Sequence, residues 1–209
     1  RITIVQGPFL PIPPLKGGAI EKFFYALAPL WVAEGHEVTY ISRSFQDLPQ
    51  RETVNGILHL RVPSRDSGKN PLLNKYRDFL YAEAAAKVAP AADILISNTF
   101  FFPLLAKPHQ GALWIHAGRF PRGQLSLYSK AAVIQFPAHS IRQSALDQAP
   151  HLREKFCVLP YALPNFPPHI SPKTQLSENP KLLFVGRLHP EKGVHLLLKA
   201  LGLLPEALA

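Results

Sequence analysis

The 209-residue chain has no methionine and a single cysteine, Cys157. A lone cysteine excludes an intramolecular disulfide. Its setting, Phe156-Cys157-Val158-Leu159, predicts a small core residue and points weakly to a cytoplasmic home. Methionine is missing even from the first position, which predicts a processed chain. No apolar run approaches the ~18 residues of a membrane-spanning helix. The opening Ile2-Thr3-Ile4-Val5 is not a signal peptide. Acids are also scarce, with 14 Asp+Glu against 23 Lys+Arg and a formal net charge of +9. Only 18% of residues are charged, so the imbalance comes from too few acids rather than from a basic tail. It suits an anionic partner (phosphate groups, an acidic membrane surface or nucleic acid) without choosing among them.

Several site signatures are missing too. The first loop carries no Gly-x-Gly-x-x-Gly, and the second predicted strand ends Ile41-Ser42-Arg43 with no acid for a ribose diol, which argues against an NAD-type site. There is no Gly-x-x-x-x-Gly-Lys-Ser/Thr and no Gly-x-Ser-x-Gly elbow. The 9 histidines show no metal-ligand spacing, so no metal is expected. Basic residues do not interleave with aromatics, and no nucleic-acid motif appears, so nucleic acid is not an expected partner.

What is present is an α/β pattern. Hydrophobic residues make up 47% of the chain, enough for a full core. Arg1 to Gly7 predicts a buried strand, and a Pro-rich loop runs from Pro8 to Pro14 into Lys16-Gly17-Gly18. A helix is predicted over about 19–34, with Phe23, Phe24, Leu27, Leu30 and Trp31 at helical spacing and Gly35 as its stop. Further strands are predicted at 37–42, 56–62, 93–98, 112–116, 131–136 and 156–160, and further helices at 72–88 and 140–148. Such alternation predicts a Rossmann-like parallel sheet with helices on both faces. Prolines, 22 in all, are about twice as frequent as usual. They crowd the stretch after Tyr161, which predicts a domain over 1–165 and a linker over 166–180. The chain then restarts with a strand at 181–185, a loop at 186–193 and a helix at 194–203. One strand and one helix cannot form a core, so 181–209 is expected to begin a second, incomplete domain.

Three groups of residues could carry chemistry. Lys16, Gly17 and Gly18 stand at the mouth of the first helix, where glycine lets backbone approach a ligand and free N–H groups favour an anion. Arg187 and Lys192 sit in Gly186-Arg187-Leu188-His189-Pro190-Glu191-Lys192-Gly193, between a strand and a helix. An Arg fork and a Lys point charge there suit phosphate oxygens. His116 ends the strand Leu113-Trp114-Ile115, and Arg119 follows.

Taken together these segments resemble the retaining glycosyltransferases of the large group 1 family (family 4), which have the GT-B fold. The resemblance rests on Gly17-Gly18 with Glu21, on Glu34-Gly35-His36-Glu37-Val38, and on Phe184 to Gly193 with Ala200. It implies two Rossmann-like domains, the first mainly for the acceptor and the second mainly for a nucleotide-diphosphate sugar. It implies that Arg187 and Lys192 neutralise the donor diphosphate and departing nucleotide, with Gly17 and Gly18 facing it. It implies that His116 lies near the transferred sugar, and that neither metal nor cofactor is needed. The family's paired glutamates are expected beyond Ala209, so this chain alone is expected to be inactive. Two positions depart from the family: Phe136-Pro137-Ala138 where a serine is usual, and Tyr161-Ala162-Leu163-Pro164 where Asn-Gly-Val-Asp is usual. A non-catalytic α/β module for phosphorylated ligands is the alternative. A third possibility lays the helix with Lys75, Arg77 and Lys87 on an anionic membrane, although Asp78 and Glu83 interrupt its positive stripe.

Overall fold

The computed structural model describes residues 1–162 and 181–204. It divides into two units, Arg1–Asn165 and Phe166–Ala209. The expected linker at 166–180 lies outside the described residues.

The first unit is one sheet of 8 strands in the order β3-β4-β2-β1-β5-β6-β7-β8. The strands are β1 (Ile2–Val5), β2 (Val38–Arg43), β3 (Arg51–Val54), β4 (Ile57–Val62), β5 (Ile94–Ser97), β6 (Ala112–His116), β7 (Val133–Phe136) and β8 (Phe156–Val158). All neighbours are parallel except β3 and β4. The helices are α1 (Ala19–Ala33), α2 (Pro71–Val88), the short α3 (Phe102–Leu105) and α4 (His139–Gln148).

Successive strand residues point to opposite faces, and each face is apolar. Ile4, Tyr40 and Ile96 join Phe24 and Ala28 of α1 in one core cluster. Their neighbours Val5, Ile41 and Leu95 join Tyr81, Ala82 and Ala85 of α2 and Ile141 and Ala145 of α4 in another. Helices therefore cover both faces, and the fold is the Rossmann-like α/β sheet expected from the alternation. Of the predicted α1 stripe, Phe24 is buried, whereas Leu30 is 60% exposed because it falls on the outer side of the helix. Cys157 is half-buried rather than a core residue, because β8 is an edge strand with one neighbour.

The antiparallel β3 was not expected. Its turn is Asn55-Gly56, both at positive φ (51 and 77), the geometry of a two-residue hairpin turn. Asn70 starts α2 by accepting from Leu72 N (2.9 Å) and Leu73 N (3.3 Å), with Pro71 as the first helical residue.

Two buried arginines hold the Pro-rich loop. Arg43 Nη1 donates to Phe9 O at 3.0 Å, and Arg61 Nη2 donates to Ile12 O at 3.3 Å. Arg43 also pairs with Asp66, and Arg61 with Glu52 at 2.6 Å. Part of the chain's positive charge is thus spent inside the fold.

In the second unit, the strand expected over 181–185 is not formed. Leu182, Leu183 and Val185 are 71%, 85% and 83% exposed, and no neighbouring strand among the described residues supplies a ladder. The helix does form, as α5 (Val194–Leu201).

Candidate functional site

Strand order reverses between β1 and β5, and open α/β sheets bind ligands at the carboxyl ends of strands beside such a reversal. A cleft of about 780 Å³ opens there. Gly7 to Leu10 line it after β1, Asn98 to Phe100 after β5, and His116 to Arg119 after β6. Gly18 to Glu21 line it from the start of α1, and Asp78 and Tyr161 complete the wall.

Gly17 and Gly18 both adopt positive φ, at 81 and 96. Gly18 caps α1, whose N-terminus has no side-chain cap. A Cβ on Gly18 would lie 2.0 Å from a Glu21 carboxylate oxygen, a contact that flexible side chain could relieve by shifting, so the positive φ is the firmer reason for glycine there. Glu21 thus occupies part of the space at the helix mouth. Lys16 is turned away from the cleft. Its Nζ sits 3.2 Å from Asp66 Oδ2 and 4.9 Å from the Phe45 ring centroid.

His116 is buried, with only 3% of its surface exposed. Its Nδ1 bonds Gln135 Oε1, and its Nε2 lies 2.8 Å from the Tyr161 hydroxyl. Phe24 meets the imidazole edge-on at 5.4 Å between centroids. Burial pulls the imidazole below its ordinary pKa, against the opposing pull of Gln135, so the ring favours its neutral form. Asp78 is a buried carboxyl of the same wall. Burial raises its carboxyl to about 6, partly offset by the N–H groups of Phe100 and Phe101. One of its oxygens accepts from Phe100 N at 3.3 Å, and the other has no protein partner.

The structure brings Gly18, His116 and Arg119 to one cleft within the first unit. Arg187 and Lys192 belong to the second unit. There Arg187 Nη2 lies 3.7 Å from Glu191 Oε2, and both side chains are more than two-thirds exposed. Lys192 ends a short helical turn before Gly193, the left-handed residue from which α5 starts.

No family model matches the chain. It is 26% identical over 225 residues to the spore coat protein SA of Bacillus subtilis, covering 96% of this chain and 56% of that protein. It is 22% identical over 227 residues to a second Bacillus subtilis protein, named "Putative glycosyltransferase YtcC", covering 96% and 52%. The chain therefore spans about half the length of the relatives it matches. A solved Escherichia coli structure described as "Trehalose-6-phosphate from E. coli bound with UDP-2-fluoro glucose" superposes with a TM-score of 0.52 at 11% identity, covering 78% of this chain and 49% of that one. The resemblance is to glycosyltransferases of the GT-B fold.

Sequence reasoning missed Tyr161, Gly118 and Asp78 as parts of this wall, and Gln135 as the partner of His116. Tyr161 stood out only as a departure from the family pattern. Its partner His116 is 45 residues away in sequence, and only the order of β6, β7 and β8 brings them together. Among the described residues no cluster of His, Cys, Asp or Glu has metal-binding geometry.

Proposed function

We propose that the chain works in sugar transfer, with the Arg1–Asn165 unit as the acceptor-side half of a retaining GT-B glycosyltransferase of the group 1 type. The observation that carries this reading is the cleft at the strand-order reversal, walled by Gly18, His116 and Arg119. A hexosyl group would pass from a nucleotide-diphosphate sugar to an acceptor hydroxyl with retention at the anomeric carbon. Arg187 and Lys192 would neutralise the departing diphosphate as fixed cations, leaving no need for a metal or other cofactor. Gly17 and Gly18 would face the diphosphate through backbone N–H groups. Arg119, on the cleft wall, is suited to a phosphate or hydroxyl of either substrate, whereas Lys16 is held by Asp66 and would have to leave it first. The relatives in sequence, one of them named as a glycosyltransferase, support this over a non-catalytic module.

The test is an assay of the full-length protein against a panel of nucleotide sugars, with Arg187→Ala and His116→Ala as variants. Each is expected to lose about 10²–10³-fold in turnover. Unchanged activity in both would overturn the site assignment.

A peripheral position at the inner face of a cytoplasmic membrane is part of the proposal. Among the described residues no helix is long and apolar enough to cross a membrane. The outer face of α2, however, exposes Leu72 (75%), Tyr76 (58%) and Leu80 (44%). Lys69, Lys75 and Arg77 flank this apolar strip, a combination suited to anionic lipid. Vesicles containing anionic lipid should co-sediment the protein, and charge reversal at Lys75 and Arg77 should weaken this several-fold. Co-sedimentation indifferent to those reversals would exclude the lipid contact.

A further inference from the structure

Three hydrogen bonds behind the cleft wall run in one direction, and their order is fixed by chemistry. Gln135 Nε2 lies 2.6 Å from Leu159 O. A carbonyl only accepts, so this end of the amide is its NH₂ and the other end is its oxygen. That oxygen faces His116 Nδ1, which must then carry the imidazole proton. A neutral imidazole protonated at Nδ1 has a bare lone pair at Nε2. The Tyr161 hydroxyl, 2.8 Å away, therefore donates to Nε2. Its oxygen keeps lone pairs for another partner, and Tyr161 lines the cleft, whereas His116 on the same wall is only 3% exposed and has both ring nitrogens engaged.

Packing holds this geometry. Phe23 meets the Tyr161 ring edge-on at 4.9 Å between centroids. Gly118 leaves room for the bond itself. A Cβ there would stand 3.0 Å from the Tyr161 hydroxyl, 3.2 Å from His116 Nε2 and 2.9 Å from Ile20 Cδ1.

We propose that Tyr161 is the hydroxyl-recognising residue of the cleft: with its proton committed to His116, its phenol oxygen accepts a hydrogen bond from a sugar hydroxyl. Gln135 is the positioning residue that keeps His116 an acceptor. His116 acts through Tyr161 instead of touching the sugar itself. Only the choice of a sugar as the hydroxyl ligand rests on the sugar-transfer reading; the bond directions do not.

The experiment is nitrogen NMR of the ring-labelled histidines in the full chain, with His116 assigned by its loss in His116→Ala. Wild type is expected to show the Nδ1–H form at neutral pH, and Gln135→Leu to shift it toward Nε2–H. A wild-type Nε2–H form, or a charged ring, overturns the proposal. The same samples are then titrated with D-glucose, D-galactose, D-mannose and N-acetylglucosamine. At least one is expected to move the His116 signals, and Tyr161→Phe to bind that sugar about 10-fold more weakly, the worth of one hydrogen bond. Gly118→Ala, which removes neither group, should weaken it similarly. Equal binding by Tyr161→Phe, or no sugar reaching these signals, overturns the proposal. Sugar binding through Tyr161 with no transfer by the full-length protein from any nucleotide sugar would refute the transferase reading and leave this one standing.

Discussion

The chain twice runs from an apolar stretch through a glycine-bearing loop into a helix, and the two runs end differently. Ile2–Val5 becomes β1, buried along its length and paired with β2 on one side and β5 on the other. Lys181 to Val185 carries a comparable apolar pattern and forms no strand, with Leu182, Leu183 and Val185 exposed. The helices that follow, α1 and α5, form in both cases. The difference shows which part of a strand–loop–helix unit is local. A helix closes its hydrogen bonds within its own sequence, whereas a strand needs neighbours for its backbone groups and a face to bury. The same division separates the functional residues. His116 is locked by two side-chain bonds in a wall, while Arg187 and Lys192 stand on an exposed turn.

The sharpest break of this comparison is a methyl-group deletion in each run. Ile4→Ala, at a site 1% exposed, should cost about 2–5 kcal/mol in a urea unfolding experiment. Leu183→Ala should stay within about 0.5 kcal/mol, as for other exposed sites. A large loss from Leu183→Ala would show that the second run is packed after all.

Next in size is a comparison of carboxylates. Burial holds Asp78 at about 6, above its ordinary 3.8. The folded state therefore binds more protons than the unfolded one between those values, and Asp78 makes stability fall as pH rises through that window. Asp78→Asn should be about 2 kcal/mol more stable than wild type at pH 7.5, with the advantage gone near pH 4. Glu191→Gln, on the exposed turn, should change stability by no more than about 0.5 kcal/mol. A pH-independent difference for Asp78→Asn would mean that its carboxyl titrates normally.

The smallest effect concerns the first glycine loop. Gly18→Ala would force a Cβ into the Glu21 carboxylate and the Leu10 side chain at φ 96. A loss of about 1–2 kcal/mol in thermal unfolding is expected. No loss would show that Glu21 swings away freely and leaves the helix mouth open for an anion.

Much of the fold was legible because its signals are local or periodic. β1, β5 and β6 are short apolar runs between breakers, and Gly35 ends α1 as a glycine should. β3 was missed although Asn55-Gly56 is a strong hairpin signal, because three of its four residues are polar and none is buried. The positions of His116 and Gly18 at strand and helix ends were readable from sequence. The Gln135–His116–Tyr161 chain was not, since each link joins residues from different strands. Nor could sequence show that Lys16 is held by Asp66, a contact 50 residues apart.

The β3 hairpin has a consequence for how copies of the molecule behave toward one another. A parallel sheet of this width would otherwise end in β4, a strand of six residues with open backbone groups. β3 covers that border with Arg51 and Thr53, which are exposed, and the charge of Arg51 resists stacking by another sheet. The opposite border, β8, is only three residues long. Removing the hairpin would therefore expose a sticky rim, and aggregation during folding would be the first symptom, before any loss of the cleft.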